Sequence, residues 1–296
     1  MQKFLLLWLA FLVCVPGPAV ADKGQQPPLL RAVTTQVDGH IVIDSEGRPI
    51  QYQIQTPLPE GVGPMLDRSV RQWRFHPVLV DGVPRKVGAR MRVTLAAIKE
   101  GSDIRIVIDN VLFPGNESGP GPSDVSAIRI PAATDKTLGV PHYPDNLLRS
   151  DGGGRVLLAI QVKPDGSVVQ AVAVQTALTG VRGKASILAD IVARLEETTA
   201  SAAKNWRFRV TAPSSQQTPE SLTIMTLVTF RPEGVVAAKP GQWRTEFRAA
   251  HRDIPWLQAD AARQKIGVSD IGDNEVLPLN DTMALVSDVV GTALLP

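Results

Sequence analysis

A pattern stated twice in one chain constrains the fold more than either copy does, because two segments that agree in order and spacing call for one supersecondary unit. The first copy runs from Gly39-His40-Ile41-Val42-Ile43 through Asp44-Ser45-Glu46-Gly47 to Ile50-Gln51-Tyr52-Gln53-Ile54, and reaches Trp73-Arg74-Phe75 after a break. The second runs from Gly154-Arg155-Val156 to Ile160, through Lys163-Pro164-Asp165-Gly166 to Val172-Ala173-Val174, and reaches Trp206-Arg207-Phe208 after a longer break. The two tryptophans stand 133 residues apart, and Met91 and Ile224 each lie 18 residues beyond their own tryptophan, inside a further strand-like run.

The local chemistry of each piece is readable. Ile50, Tyr52 and Ile54 alternate with Gln51, Gln53 and Gln55, the period of a strand with one buried face. Gly47 and Gly166 end their tetrapeptides where a hairpin turn needs a residue that tolerates positive φ. Ala89, Met91, Val93 and Leu95 alternate with Arg90, Arg92 and Thr94, which predicts an antiparallel sheet with one wet side. In the second copy Leu188, Ile191, Val192, Leu195, Ala202, Ala203 and Trp206 make one apolar helical stripe. The matching segment of the first copy, Met65 to Trp73, is shorter and follows Gly61, Gly63 and Pro64. The expected fold class is therefore α+β: two tandem small domains, each an antiparallel sheet built strand-strand-helix-strand with a helix on one face. A helix that carries the chain back across the sheet lets the last strand pair with the first. The second and last strands are then the two edges, and the last, Leu222 to Phe230, offers unpaired N–H and C=O groups to an extended peptide.

The start of the chain reads as a leader. Lys3 precedes the apolar run Phe4 to Val15, Pro16 and Pro18 interrupt it, and Ala19-Val20-Ala21 has the small-x-small form of a cleavage site. Residues 1–21 are expected to be a signal peptide cut after Ala21, which directs the protein to the periplasm; an inner-membrane anchor is the alternative. Cys14 is the only cysteine, so the processed chain has no thiol for a disulfide or a metal. With 31 basic and 29 acidic residues there is no electrostatic footprint for nucleic acid.

The expected boundaries are a degenerate first unit at 36–100, a join at 101–142 with one extra strand around Ile104, Ile106 and Ile108, a second unit at 143–232 and a tail at 233–296. Pro114 to Pro122 is a linker by composition. In the tail Trp243, Phe247, Arg244, Arg248 and Arg252 lie at helical spacings, so the tail is read as partly helical and as packing on the second unit.

Tyr143-Pro144, the Gly154-Arg155-Val156 strand, the Asp165-Gly166 turn, the helix ending in Asn205-Trp206-Arg207-Phe208 and a last strand ending in Thr229-Phe230-Arg231-Pro232 together resemble the TonB C-terminal domain family. The first copy matches from Gly39 to about Ala97, with Trp73-Arg74-Phe75-His76-Pro77 in place of the family's aromatic-basic-aromatic motif and no Tyr-Pro opening. The resemblance implies a non-enzymatic domain that takes an extended peptide, such as an outer-membrane receptor segment, as an added strand. Family members of the energy-transducing type keep a membrane helix and a long proline-rich spacer; this chain has a short apolar start, no such spacer and two units. The implied peptide-binding residues are Tyr143, Pro144, Met225, Leu227 and Thr229, while Trp73, Phe75, Trp206 and Phe208 read as structural. The implied partner is an envelope protein or extended peptide.

Other motifs carry little. Ser201-Ala202-Ala203-Lys204 has the Ser-x-x-Lys form without a Ser-Asp-Asn or Lys-Thr-Gly companion. Gly183-Lys184 lacks the remaining positions of a phosphate loop. His40, His76, His142 and His251 are scattered, so no metal and no cofactor is expected, and no small-molecule substrate is identified. The function expected is that of a periplasmic protein- or peptide-binding protein, with a membrane-anchored energy transducer and an enzyme with an unfamiliar site as the alternatives.

Overall fold

A computed structural model of the chain describes residues 28–80, 82–114, 141–148, 152–208, 210, 220–257, 265–273, 275–279 and 283–294. The leader and the Pro114–Pro122 linker lie outside these residues, apart from Pro114 itself. The elements in chain order are β1 (Leu30–Ile43), β2 (Pro49–Ile54), α1 (Val62–Gln72), a small hairpin of β3 (Leu79–Val80) and β4 (Val83–Pro84), β5 (Val87–Glu100), β6 (Asp103–Leu112), the single turn α2 (Asp145–Leu148), β7 (Gly153–Val162), β8 (Val168–Thr179), α3 (Ala185–Ala203), β9 (Leu222–Phe230), β10 (Arg244–Arg248) and β11 (Val276–Pro278).

Both copies use the strand order read from the sequence. β1 lies between β2 and β5, and β7 lies between β8 and β9, all antiparallel. Each copy is closed by the same main-chain lock. Gly47 (φ 78°) accepts a hydrogen bond from the Phe75 amide at 2.9 Å, and Gly166 (φ 82°) accepts one from the Phe208 amide at 2.8 Å. A Cβ at Gly47 would sit 2.0 Å from the Phe75 carbonyl oxygen, and one at Gly166 would sit 1.7 Å from that of Phe208. Glycine is thus required twice over at these turns, for positive φ and for the close approach of the aromatic segment. The locked segment buries its rings: Trp73, Phe75, Trp206 and Phe208 are all in the core, with centroid separations of 6.5 Å and 6.4 Å within the two pairs. The helices follow their stripes. Val62, Leu66 and Val70 are the buried face of α1; Ile191, Val192, Leu195, Ala202 and Ala203 lie on that of α3.

The copies are not free-standing. β10, from the tail, pairs with the first residues of β1 (Leu30↔Arg248 to Thr34↔Arg244) and with the end of β8 (Phe247↔Leu178). One nine-stranded sheet results, in the order β11-β9-β7-β8-β10-β1-β5-β6, with β2 on the other half of β1. The α+β class holds, but the two units share a continuous sheet. The helix expected around Arg244 to Arg252 is strand β10 where it overlaps Arg244–Arg248. Arg244, Glu246 and Arg248 also have period two, and pairing with strands on both sides outweighs an isolated helical turn. Among the described residues the tail forms no α-helix.

The tail also packs on both copies rather than on the second alone. Ile254, Ile266, Val268, Ile271, Leu277 and Leu279 cover Leu157, Ala159, Val174, Met225 and Leu227 on the face of the second half opposite α3. Met283, Val289 and Leu294 join the core of the first half. The second half therefore loses the wet side expected of it, and the first keeps it only toward Arg90, Gln51 and Gln53, which stay exposed. β7 is buried on both faces along nearly its whole length, and Thr94 and Arg92 of β5 are taken up by polar groups of the tail.

Candidate functional site

The edge expected to receive a peptide is already occupied in part. β11 pairs with β9, with Val276↔Thr226, Leu277↔Met225 and Pro278↔Ile224, and the Leu279 amide donates to the Thr223 carbonyl at 2.9 Å. Met225 and Leu227 are fully buried beneath the tail, and the Thr229 hydroxyl donates to Asp273 at 2.9 Å. Tyr143 packs edge-on against Phe230 at 5.7 Å and donates its hydroxyl proton to the Gly152 carbonyl at 2.7 Å, while Pro144 is buried. Tyr143 belongs to the α3 side of the sheet and Met225 and Leu227 to the opposite side. These side chains do not converge on one surface. The assumption that β9 is an open edge is corrected at Ile224–Thr226; the hydrophobic run that made it look like an edge is instead the floor for the tail.

Other edges are filled in the same way. Tail residues Gly291 to Leu294 exchange main-chain hydrogen bonds with Ile106 and Ile108 of β6 at 2.7–3.0 Å. The amides of His76 and Val286 and the carbonyls of Ala284 and Arg74 join another tail segment to the Trp73-Arg74-Phe75 turn at 2.8–3.0 Å. Beyond β10, the amides of Ala249 and Arg252 donate to β8 at Thr176 and Val174, both at 2.8 Å.

β2 is different. Among the described residues it pairs only with β1, and its other side borders a groove of about 1120 Å³ shared with α1 and the loop between them. Ile50, Tyr52, Ile54, Leu58, Asp67 and Arg71 line it. The Gln55 amide donates inward to the Asp38 carbonyl at 2.9 Å, so alternation turns the amides of Gln53 and Gln51 inward and those of Ile54 and Tyr52 outward, toward the groove. Ile50 is half exposed, the Arg71 guanidinium stands 5.3 Å from the centre of the Tyr52 ring, and Arg71 pairs with Asp67 at 3.0 Å. The Tyr52 hydroxyl is buried without a hydrogen-bond partner among the described residues. No charged residue occurs from Pro49 to Pro59, although edge strands are commonly protected by charge. That missing charge is the signal in the sequence that could have singled out this strand.

The joint between the halves is strongly polar. Arg155 and Glu246, both buried, pair at 3.1 Å, and Arg155 also donates to the Ile271 carbonyl. Arg248 bonds Glu246, Asp109 and Ser269; Arg92 bonds Asp38 at 2.6 Å and also Glu275. Burial by itself would push the Glu246 carboxyl up, but Arg155, Arg248 and the Ser269 hydroxyl outweigh it and hold the group below the usual carboxylate range. Asp270 shows the reverse. Burial pushes it up against hydrogen bonds from Thr94, Asn110 and the Gly267 amide. These groups are mutually engaged and read as a clamp that holds the tail across both halves.

No family model, curated protein or solved structure matches the chain. Among the described residues no group of His, Cys, Asp and Glu could hold a metal ion, and no helix is long and apolar enough to cross a membrane.

Proposed function

We propose that this chain is a non-enzymatic envelope protein of two TonB-C-like units, exported by residues 1–21, that captures an extended peptide as an added strand along β2. One observation carries the reading: β2 is an uncharged edge with outward amides and a groove beside it. The chain's own tail supports the mode of binding, since it already adds a strand to β9 and main-chain hydrogen bonds to β6. A strand entering the groove gains main-chain hydrogen bonds at a net of about 0.5–1.5 kcal/mol each. Its alternate side chains would meet Ile54, Leu58 and Pro59. The relevant partner is therefore an extended segment with apolar side chains at alternate positions.

The test uses peptides selected from a random library on the full chain. Ile50→Lys places a charge on the exposed edge without entering the core, and is expected to weaken the selected peptides about tenfold or more while leaving the melting temperature unchanged. Undiminished binding to Ile50→Lys, together with amide shifts mapping to β9 or β6 instead of Tyr52 and Ile54, would remove β2 as the site.

A further inference from the structure

We propose that the hairpin of β3 and β4 is a peripheral membrane contact, which seats its apolar tip among the headgroups of an anionic lipid surface. The role is independent of peptide capture along β2. The hairpin is a separate two-stranded sheet, held at its base where Val78 is buried and its carbonyl accepts from the Arg85 amide at 2.9 Å. Leu79 pairs with Pro84 and Val80 with Val83, so each pair shares a face and the two pairs point to opposite faces. Leu79 is 59 % exposed and Pro84 is exposed on one face, while Val83 is 48 % exposed on the other.

A two-stranded hairpin is marginal in water by itself, and this one leaves apolar side chains in solvent on both of its faces. A protein surface laid against such a ribbon covers one face; a lipid layer surrounds both. At about 3.3 Å per residue the two-residue strands reach about 7 Å beyond their base, which matches the depth to which apolar groups enter the headgroup boundary. The charges beside the hairpin set the sign of the surface it meets. Arg85 and Lys86 follow β4 directly and Arg90 lies on the neighbouring β5; all three are exposed and make no ion pair among the described residues. The carboxylates of the adjoining turn, which Phe75 joins through Gly47, are already engaged. Asp44 accepts from the amides of Glu46 and Arg48, and Glu46 pairs with Arg48. Asp81, between the two strands, is the one acidic residue from Arg68 to Lys99. Its charge holds the tip at headgroup level and out of the hydrocarbon.

The full chain is mixed with vesicles of phosphatidylcholine alone and with vesicles of equal phosphatidylcholine and phosphatidylglycerol, and the bound fraction is read by sedimentation. Binding to the mixed vesicles is expected, about tenfold or more tighter than to the neutral ones, and it should weaken as salt rises. Two double variants separate the contributions: Leu79→Ser with Val83→Ser, and Arg85→Glu with Lys86→Glu. Each changes exposed positions, so each should leave the melting temperature unchanged and weaken vesicle binding about tenfold or more. Absence of binding to the mixed vesicles, or wild-type binding by either double variant, would overturn the proposal. Equal affinity for neutral and anionic vesicles would overturn the anionic assignment. A chain that ignores vesicles but forms dimers abolished by the Leu79→Ser, Val83→Ser pair would make the hairpin a protein contact instead.

Discussion

Glu246 shows how one residue can tie the acid stability of the protein to its architecture. It lies on a strand contributed by the tail, and its carboxylate meets Arg155 from the second copy and Arg248 from its own strand. Its folded-state pKa is depressed, so its contribution is fully present above the ordinary glutamate value of 4.5 and is lost as pH falls through the lower, folded value. Asp270 works in the other direction: its pKa is raised, so ionising it costs stability as pH rises from 3.8 through the folded value. Glu246→Gln is expected to lower stability at neutral pH and to flatten its fall below about pH 4.5, read from denaturant unfolding across an acid series. An unchanged acid slope would mean that the Glu246 charge is not what holds the joint.

Among the elements, the recurring unit is the turn lock and the tryptophan it delivers. Trp206 is buried just beyond the end of α3, and Phe208 is fastened to Gly166, whereas the Arg207 side chain is exposed and, among the described residues, donates only to the Trp206 carbonyl. Trp206→Ala should therefore cost about 3–5 kcal/mol through loss of burial and the cavity left behind. Arg207→Ala should cost less than about 1 kcal/mol. Denaturant unfolding of the full chain distinguishes them, and equal small losses would count against the core assignment. This much was legible from sequence, because a turn glycine, an apolar stripe and its terminal aromatic are local signals. The strand nature of Arg244–Arg248 was not, since a five-residue segment fits periods of two and 3.6 alike and its neighbours decide. Nor was the cover on β9: β11 is three residues long and leaves no periodicity to read.

Across the whole molecule, the tail turns two similar units into one sheet. The second copy alone, residues 143–232, would expose Leu157, Ala159, Met225 and Leu227, which the tail buries in the full chain. At about 25 cal/mol per Å² of apolar surface, losing that cover would be a large loss against the net stability of a domain. The isolated copy is expected to self-associate and bind a hydrophobic dye, and the full chain to unfold in one transition by tryptophan fluorescence and far-UV circular dichroism alike. Two separated transitions would restore independent units.

By itself the sequence determined the repeated unit: its strand-strand-helix-strand order, the glycines of its turns and the buried tryptophans. Those features depend on backbone conformation and periodicity within short windows. Tertiary structure decided the sheet order, the inward face of Met225 and Leu227, the open side of β2 and the ion pairs of Glu246. Each of these depends on where residues 233–294 lie relative to segments far away in the chain, and pairing between distant strands is chosen by the sum of burial and hydrogen bonding over the whole molecule.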